Sequence, residues 1–241
     1  MSLNSEKLVR SLHHKKYRNN HNKFILEGKR TIDFANNHYG NFSLIIYTKN
    51  FSKQNPELIS KIKCKSIEII SEKEMDKLSP SKSPSGILAI SNMIDYGEFN
   101  NNKNVVFLDK VSDPGNMGTI IRTAAWFGIY QIALSPGCID PYNPKVVRSA
   151  MGSHFSLSWM GEKDISTLNN YELIGADQNS KNNKLGKLID KWALVMGSES
   201  HGLSKKTLSY LDQSIGITKI GSGESLNIGV AMGILLHKMT K

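Results

Sequence analysis

The chain has 241 residues, 39% of them hydrophobic and 22% charged, and a formal net charge of +10. That composition excludes an intrinsically disordered chain, and no apolar run nears the roughly 20 residues that cross a bilayer. The basic excess favours a polyanionic partner. The two cysteines, Cys64 and Cys138, lie far apart without metal-ligand spacing, so neither a metal site nor a disulfide framework is expected. With a polar N-terminus that carries no apolar signal core, the expected location is the cytoplasm.

Residues 5–18 read as one basic helix with Leu8 and Leu12 on a common face. Residues 24–28 read as a strand ending in a turn, and residues 29–38 as a helix. The β-branched runs 44–47 and 66–70 are strands, 56–61 and 71–78 are helices, and 86–90 closes the module as a strand. Ser71 followed by Glu74 is the pattern of a capping box. Residues 1–95 thus form a small α/β domain, and the polar stretch 96–104, rich in Asn and Lys, reads as a linker.

From residue 105 to 241 the alternation is more regular. Strands are expected at 105–109, 131–134, 155–159, 172–176, 192–196 and 214–217. Helices are expected at 117–126, 145–151, 165–170, 204–210 and 227–239. Such alternation implies a parallel sheet with helices on both faces.

Three segments sit where that architecture gathers ligands, beyond the carboxyl ends of strands. In the first, Asp113-Pro114-Gly115 forces a turn, Asn116 is placed to cap the next helix, and Arg122 lies on that helix. The second, Gly197-Ser198-Glu199-Ser200-His201-Gly202, is a glycine-bracketed loop. It has neither the spacing of a dinucleotide fingerprint nor the lysine of a phosphate-binding loop, which weighs against a nicotinamide enzyme or a kinase. His201 reads as a surface residue. In the third, Gly221 and Gly223 precede Glu224-Ser225-Leu226-Asn227, where Ser225 and Asn227 can cap the last helix. Gly229 and Gly233 share one helix face, which suits either a dimer contact or a tight crossing within the chain.

In this order the segments resemble the SpoU (TrmH-type) family of RNA 2′-O-ribose methyltransferases, in the SPOUT superfamily. Asn116, Gly118, Arg122 and Thr123 match its first motif. Gly197, Glu199, Gly202 and Leu203 match its second, and Ser225, Leu226 and Asn227 its third. Pro144 to Ser149 and Gly152 are similar to the family's Arg-and-small-residue helix. The stretches 77–79 and 86–89 are similar to the end of its N-terminal RNA-binding domain. One departure stands out: the third motif usually opens Ile-Pro-Met, and here it is Ile217-Thr218-Lys219.

The resemblance implies a C-terminal trefoil knot, S-adenosylmethionine as cofactor and a homodimer. Arg122, Asn116, Glu199, Ser225 and Asn227 would serve catalysis. Gly197, Ile217, Leu226, Met196, Ile220 and Gly221 would hold the cofactor. Lys15, Lys16, Arg18 and Arg148 would contact RNA, the first three within a basic run from Lys7 to Arg30 that contains a single acid, Glu27. The expected substrate is ribosomal RNA. Transfer RNA is one alternative, and a non-catalytic RNA-binding or ribosome-assembly role on the same fold is another.

Overall fold

Val105, Val106, Phe107 and Leu108 are all buried, as are Leu44 to Thr48 and Trp192 to Met196, so both faces of these strands are covered, as continuous apolar runs require. The computed structural model describes residues 2–180, 182–183 and 191–240. In chain order it begins α1 (Leu3–Ser11), α2 (Lys15–His21), β1 (Lys23–Glu27), α3 (Lys29–His38) and β2 (Leu44–Thr48). Next come α4 (Lys49–Gln54), α5 (Pro56–Lys61), β3 (Ile67–Ile70), α6 (Glu72–Leu78) and β4 (Ile87–Asn92). Then follow β5 (Val105–Leu108), α7 (Pro114–Trp126), β6 (Gln131–Leu134), α8 (Pro144–Ala150), β7 (Ser158–Glu162) and β8 (Glu172–Ala176). The chain closes with β9 (Trp192–Met196), α9 (Lys205–Leu208), β10 (Gln213–Ile215) and α10 (Ile228–Met239). No described helix is long and apolar enough to cross a membrane.

Two compact units result. One comprises Met1–Ile94 together with Asp140–Phe155, the other Asp95–Ile139 together with Ser156–Lys241. The first unit holds a mixed four-stranded sheet, β1-β4-β2-β3, in which only β2 and β3 run parallel. Alternate residues feed two cores. Phe24, Leu26, Ile45 and Tyr47 pack with Ile32, Phe51 and Val147, while Ile25, Leu44, Ile46 and Leu88 pack with Val9, Leu12 and Met75. Segment 140–155 therefore completes a core begun more than a hundred residues earlier.

The helix expected over 5–18 is broken. α1 ends at Ser11 and α2 starts at Lys15. The break has a physical cause in Arg18, which is only 2% exposed. Its Nη1 donates to the carbonyls of Leu12 and His13, each at 2.9 Å, carbonyls that a continuous helix would have used internally. Nε and Nη2 donate to Asp140 at 3.0 and 2.5 Å. Removing one partner of so buried a pair costs about 3–5 kcal/mol. Arg18 is thus a structural tie, and as an RNA contact it is corrected: the guanidinium has no exposed face to offer a phosphate. Lys15, Lys16 and Arg148 are exposed.

His154 lies in the same unit, fully buried, with its ring against Phe24 and Tyr142 and Nε2 donating to the Pro141 carbonyl at 2.8 Å. Burial pushes the imidazole down to about 4, partly opposed by that bond and by Asp140. The unfolded chain therefore takes up this proton first as pH falls. Stability from this group is complete above about pH 6.5 and is lost progressively as pH falls towards about 4, by about 2–3 kcal/mol. Urea unfolding at pH 7.5 and 4.5 should show this loss in the parent and a smaller one in His154→Gln; equal losses in both would remove His154 as the cause.

The second unit is a six-stranded, fully parallel sheet in the order β10-β8-β9-β5-β6-β7. Val105, Phe107, Ala133, Ala193 and Val195 cover one core with Ile165, Leu168 and Tyr171. α7 buries Met117, Ile120, Ile121 and Ala124. The strand expected at 155–159 is displaced: residues Ser153–Ser156 form a 3-10 turn and the strand is Ser158–Glu162. The polar stretch 96–104 is tied to the second unit rather than left loose. Buried Gln131 accepts from Asn100 N at 2.6 Å and donates to the carbonyls of Asn100 and Lys103.

Candidate active site at the carboxyl edge of the parallel sheet

Strand order reverses beside β5. The chain runs outward through β6 and β7, then returns to place β9 on the opposite side of β5. Such a switch point opens a crevice at the carboxyl ends. The first segment leaves β5 at this edge, the second leaves the adjacent β9, and the third follows β10.

The crevice is organised by capping. Asp113, not Asn116, caps α7, accepting from Asn116 N at 2.8 Å. A proline at the first helical position favours that earlier start, and it frees the Asn116 side chain. Asn116 Nδ2 donates to Glu199 Oε1 at 2.5 Å, and Asn116 Oδ1 accepts from Asn227 Nδ2 at 2.6 Å. Asn227 Oδ1 caps α10, accepting from Gly229 N at 2.9 Å and Val230 N at 3.4 Å. The bonds all point one way, from the positive end of α10 through two amides to the Glu199 carboxylate. Aligned dipoles of this kind reinforce one another. One residue from each of the three segments is thus joined in a single chain of bonds.

The Gly197 loop is pinned at both ends. Ser198 N donates to the Gly202 carbonyl at 3.0 Å and Gly202 N to the Ser198 carbonyl at 2.9 Å. A Cβ on Gly197 would stand 2.3 Å from the Gly202 carbonyl carbon, so only glycine permits this closure. Beyond the loop, Asp109 is 2% exposed and accepts from Ser204 N at 2.7 Å, anchoring the start of α9 to the end of β5. In the sequence alone Asp109 reads as no more than a strand terminus. Its signal was a lone carboxylate directly after four apolar residues. His201 is exposed and its Nδ1 is within 2.7 Å of Ser200 Oγ, in keeping with a surface residue.

Gly229 lies against Thr119 of α7. An added Cβ would meet Thr119 Cγ2 at 2.5 Å, so Gly229 serves the crossing within the chain. Gly233 has room beside Thr123 and lines an open groove of about 590 Å³ with Trp126, Phe127, Val230 and Ile234. Trp126 is 85% exposed on that face.

Arg122 and Ser225 stand outside the bonded chain. Both are exposed, and among the described residues neither side chain makes a hydrogen bond or ion pair. Arg122 follows Asn116 by six residues, so it points about 120° away from it around α7. Glu199 therefore holds Asn116 and does not pair with Arg122.

The residues expected to hold a cofactor include the second and third loops. Backbone N–H groups from Ile217 to Leu226 have no acceptor among the described residues. Ile220 is 95% exposed and Leu226 52% exposed, apolar surface that the described residues leave open, and a Cβ on Gly221 would meet nothing within 4 Å. Free backbone donors beside uncovered apolar side chains fit a ligand with a flat heteroaromatic part and a polar part. Thr218, at the position where the family usually has proline, accepts from Asn183 Nδ2 at 2.7 Å, so the departure supplies a tether.

Residues 103–237 match the SpoU rRNA Methylase family, and residues 5–89 match the MRM3-like substrate binding domain. The chain belongs to the SpoU rRNA methylase family. It is 29% identical to a 23S rRNA (guanosine-2′-O)-methyltransferase of Bacillus subtilis over 95% of this chain and 93% of that protein. Among solved structures, a TrmH-family protein from Porphyromonas gingivalis superposes with a TM-score of 0.82 at 27% identity, covering 99% of this chain and 97% of that one. The SpoU methyltransferase AviRb of Streptomyces viridochromogenes, solved with its cofactor AdoMet, has a TM-score of 0.85 at 23% identity, covering 100% of this chain and 97% of that one. That likeness supports the fold.

Proposed function

We propose that this SpoU-family protein methylates a ribose 2′-oxygen in ribosomal RNA with S-adenosylmethionine as donor, working as a homodimer. The observation that carries this reading is the Glu199–Asn116–Asn227 chain of bonds, which draws three separate motifs into one crevice. The named function of the Bacillus relative supports ribose methylation of ribosomal RNA, and the AdoMet-bound relative supports the cofactor. The MRM3-like match supports assigning substrate binding to residues 5–89, with Lys15, Lys16 and Arg148 as candidate phosphate contacts.

When bound, the cofactor supplies a methyl group on a positively charged sulfur. Gly197, Met196, Ile217, Ile220, Gly221 and Leu226 would hold it, chiefly through backbone groups. The protein's part is placement and charge. A ribose hydroxyl is a weak nucleophile until it is polarised or loses its proton, and near-attack placement supplies much of the acceleration. A guanidinium is not deprotonated in proteins, so Arg122 acts as an electrostatic partner of the 2′-oxygen or its neighbouring phosphate, not as the base. Ser225, exposed at the same loop, would orient the ribose.

Arg122 points away from Asn116, and the apolar groove between α7 and α10 is open, with Trp126 on its rim. A second copy of the chain over this face would bury that surface. The trefoil knot of the C-terminal segment and the cytoplasmic location remain part of the same proposal.

The deciding experiment incubates the protein with methyl-labelled S-adenosylmethionine and large-subunit or transfer RNA. Label should enter the large-subunit RNA, at a position that becomes resistant to alkaline cleavage. No incorporation into any RNA, with RNA binding retained, would favour a non-catalytic role.

A further inference from the structure

A second cavity lies wholly within the first unit, at the start of α3. Gly28 occupies the cap position with φ 97°, and no side chain caps the helix. The N–H groups of Lys29, Arg30 and Thr31 have no acceptor among the described residues. There is no acid in the first turn; instead Lys29 and Arg30 occupy it. Two cations at the positive end of a ten-residue helix are in electrostatic conflict with it. An anion at that end would relieve the conflict and accept the three orphan donors.

Two further side chains point to the same ligand. Thr31 lines the cavity and is only 4% exposed, and its hydroxyl has no hydrogen-bond partner among the described residues. That hydroxyl opens onto the cavity and can donate to, or accept from, a group bound there. Arg148, from α8, also lines the cavity and donates through Nη1 to Ser81 Oγ. Ser81 in turn donates to Glu27 Oε2 at 2.9 Å. The remaining guanidinium donors of Arg148 are free among the described residues. Among the described residues Glu27 is the one acid lining the cavity. It is 6% exposed, and its carboxylate already accepts from Ser79 Oγ at 2.7 Å, Ser81 Oγ at 2.9 Å and Ser85 N at 3.3 Å. Its role is to fix the serine-rich loop 79–85 beneath Arg148. Three cations therefore face one carboxylate whose hydrogen bonds are made internally.

We propose that the start of α3, with Lys29, Arg30, Thr31 and Arg148, binds one phosphodiester of the RNA substrate and sets the register of the RNA on the first unit. This rests on the reading of the protein as an RNA-binding enzyme, and deepens it by naming the site. Phosphate contacts of this kind position a nucleic acid without reading its sequence.

The test measures binding of in-vitro transcribed large-subunit rRNA to the full-length protein across a salt series, with thermal melting of each variant. Lys29→Gln with Arg30→Gln should weaken binding about 10-fold at 0.1 M salt. The same pair should flatten the slope of log affinity against log salt by about 1, the share of one phosphate. Thr31→Val removes a hydroxyl and no charge. It should weaken binding about 3-fold or more, leave the slope unchanged, and melt no lower than the parent. Arg148→Gln should weaken binding and flatten the slope by about 1. If the parent binds and methylates RNA while the Lys29/Arg30 variant keeps its affinity and slope, the site is refuted and the enzyme reading stands. If the charge variants weaken binding but Thr31→Val is neutral, the surface is diffusely basic and no built site exists. Failure of the parent to bind RNA would overturn the enzyme reading and the site together.

Discussion

Replacing Arg122 by alanine should lower methyl transfer by about a thousandfold while leaving the affinity for S-adenosylmethionine unchanged. The magnitude follows from removing one preorganised donor aimed at developing negative charge, which costs 10²–10³ or slightly more. Sparing of cofactor affinity follows from position. Arg122 projects from an exposed side of α7, and the proposed cofactor site lies in the loops after β9 and β10. The side chain makes no hydrogen bond or ion pair with the described residues, so its loss should not unfold the helix. Arg122→Lys should recover little, because an ammonium lacks the planar fork that can grip a phosphate or ribose in a fixed plane. Calorimetric titration with the cofactor and single-turnover methylation separate the two quantities. An alanine variant with full turnover would remove Arg122 from the reaction; lost cofactor affinity would move it into the cofactor site.

Much of this architecture was legible in the residues. The strands at Gln131–Leu134, Glu172–Ala176 and Trp192–Met196 fall where apolar runs are bounded by polar residues, and Ser71 with Glu74 makes the capping box its spacing implies. Errors arose where a distant partner decides. No local pattern shows that Arg18 will draw the carbonyls of Leu12 and His13 out of a helix, because its carboxylate partner, Asp140, is more than a hundred residues away. Nor does periodicity reveal that segment 140–155 packs with the first unit, since its apolar residues, Tyr142 and Val147, suit any core. α4 escaped notice because Lys49–Gln54 carries one buried apolar residue, Phe51, and depends on the Thr48 cap.

The site was legible in part for the same reason. The resemblance to the SpoU family singled out Asn116, Glu199 and Asn227, but their mutual bonds are long-range and need the fold. Asn116 in particular suits a helix cap by its type and position. Asp113 takes that task three residues earlier, which frees the Asn116 amide to join the other two segments. Arg122 shows the converse. It is the conspicuous cation of its motif, yet within one chain the fold leaves its side chain unpartnered and exposed, which is what the proposed contact with substrate requires.

The bonded chain itself can be tested by exchanging donor and acceptor. Asn116→Asp keeps the shape of the side chain and can still accept from Asn227, but it places a second carboxylate against Glu199 at a contact of 2.5 Å. Two carboxylates that close cannot both remain charged without cost, so the loop carrying Glu199 should swing away and kcat/KM should fall about a hundredfold or more. At ε of about 20, like charges some 4 Å apart repel by about 4 kcal/mol, which is ample for such a loss. Glu199→Gln in the same molecule should restore the contact with its polarity reversed, the glutamine amide donating to the aspartate. Activity should then return to within about tenfold of the parent, because geometry is regained while the directed run of dipoles from α10 is not. Glu199→Gln alone places two amides together, one of which can rotate, and should show an intermediate loss. The double-mutant cycle therefore has a defined sign: the coupling must be strongly favourable, so that the double variant is more active than Asn116→Asp alone. If the two losses simply multiply, the 2.5 Å contact is incidental to catalysis, and the crevice is held by the Gly197 loop and the α10 cap instead.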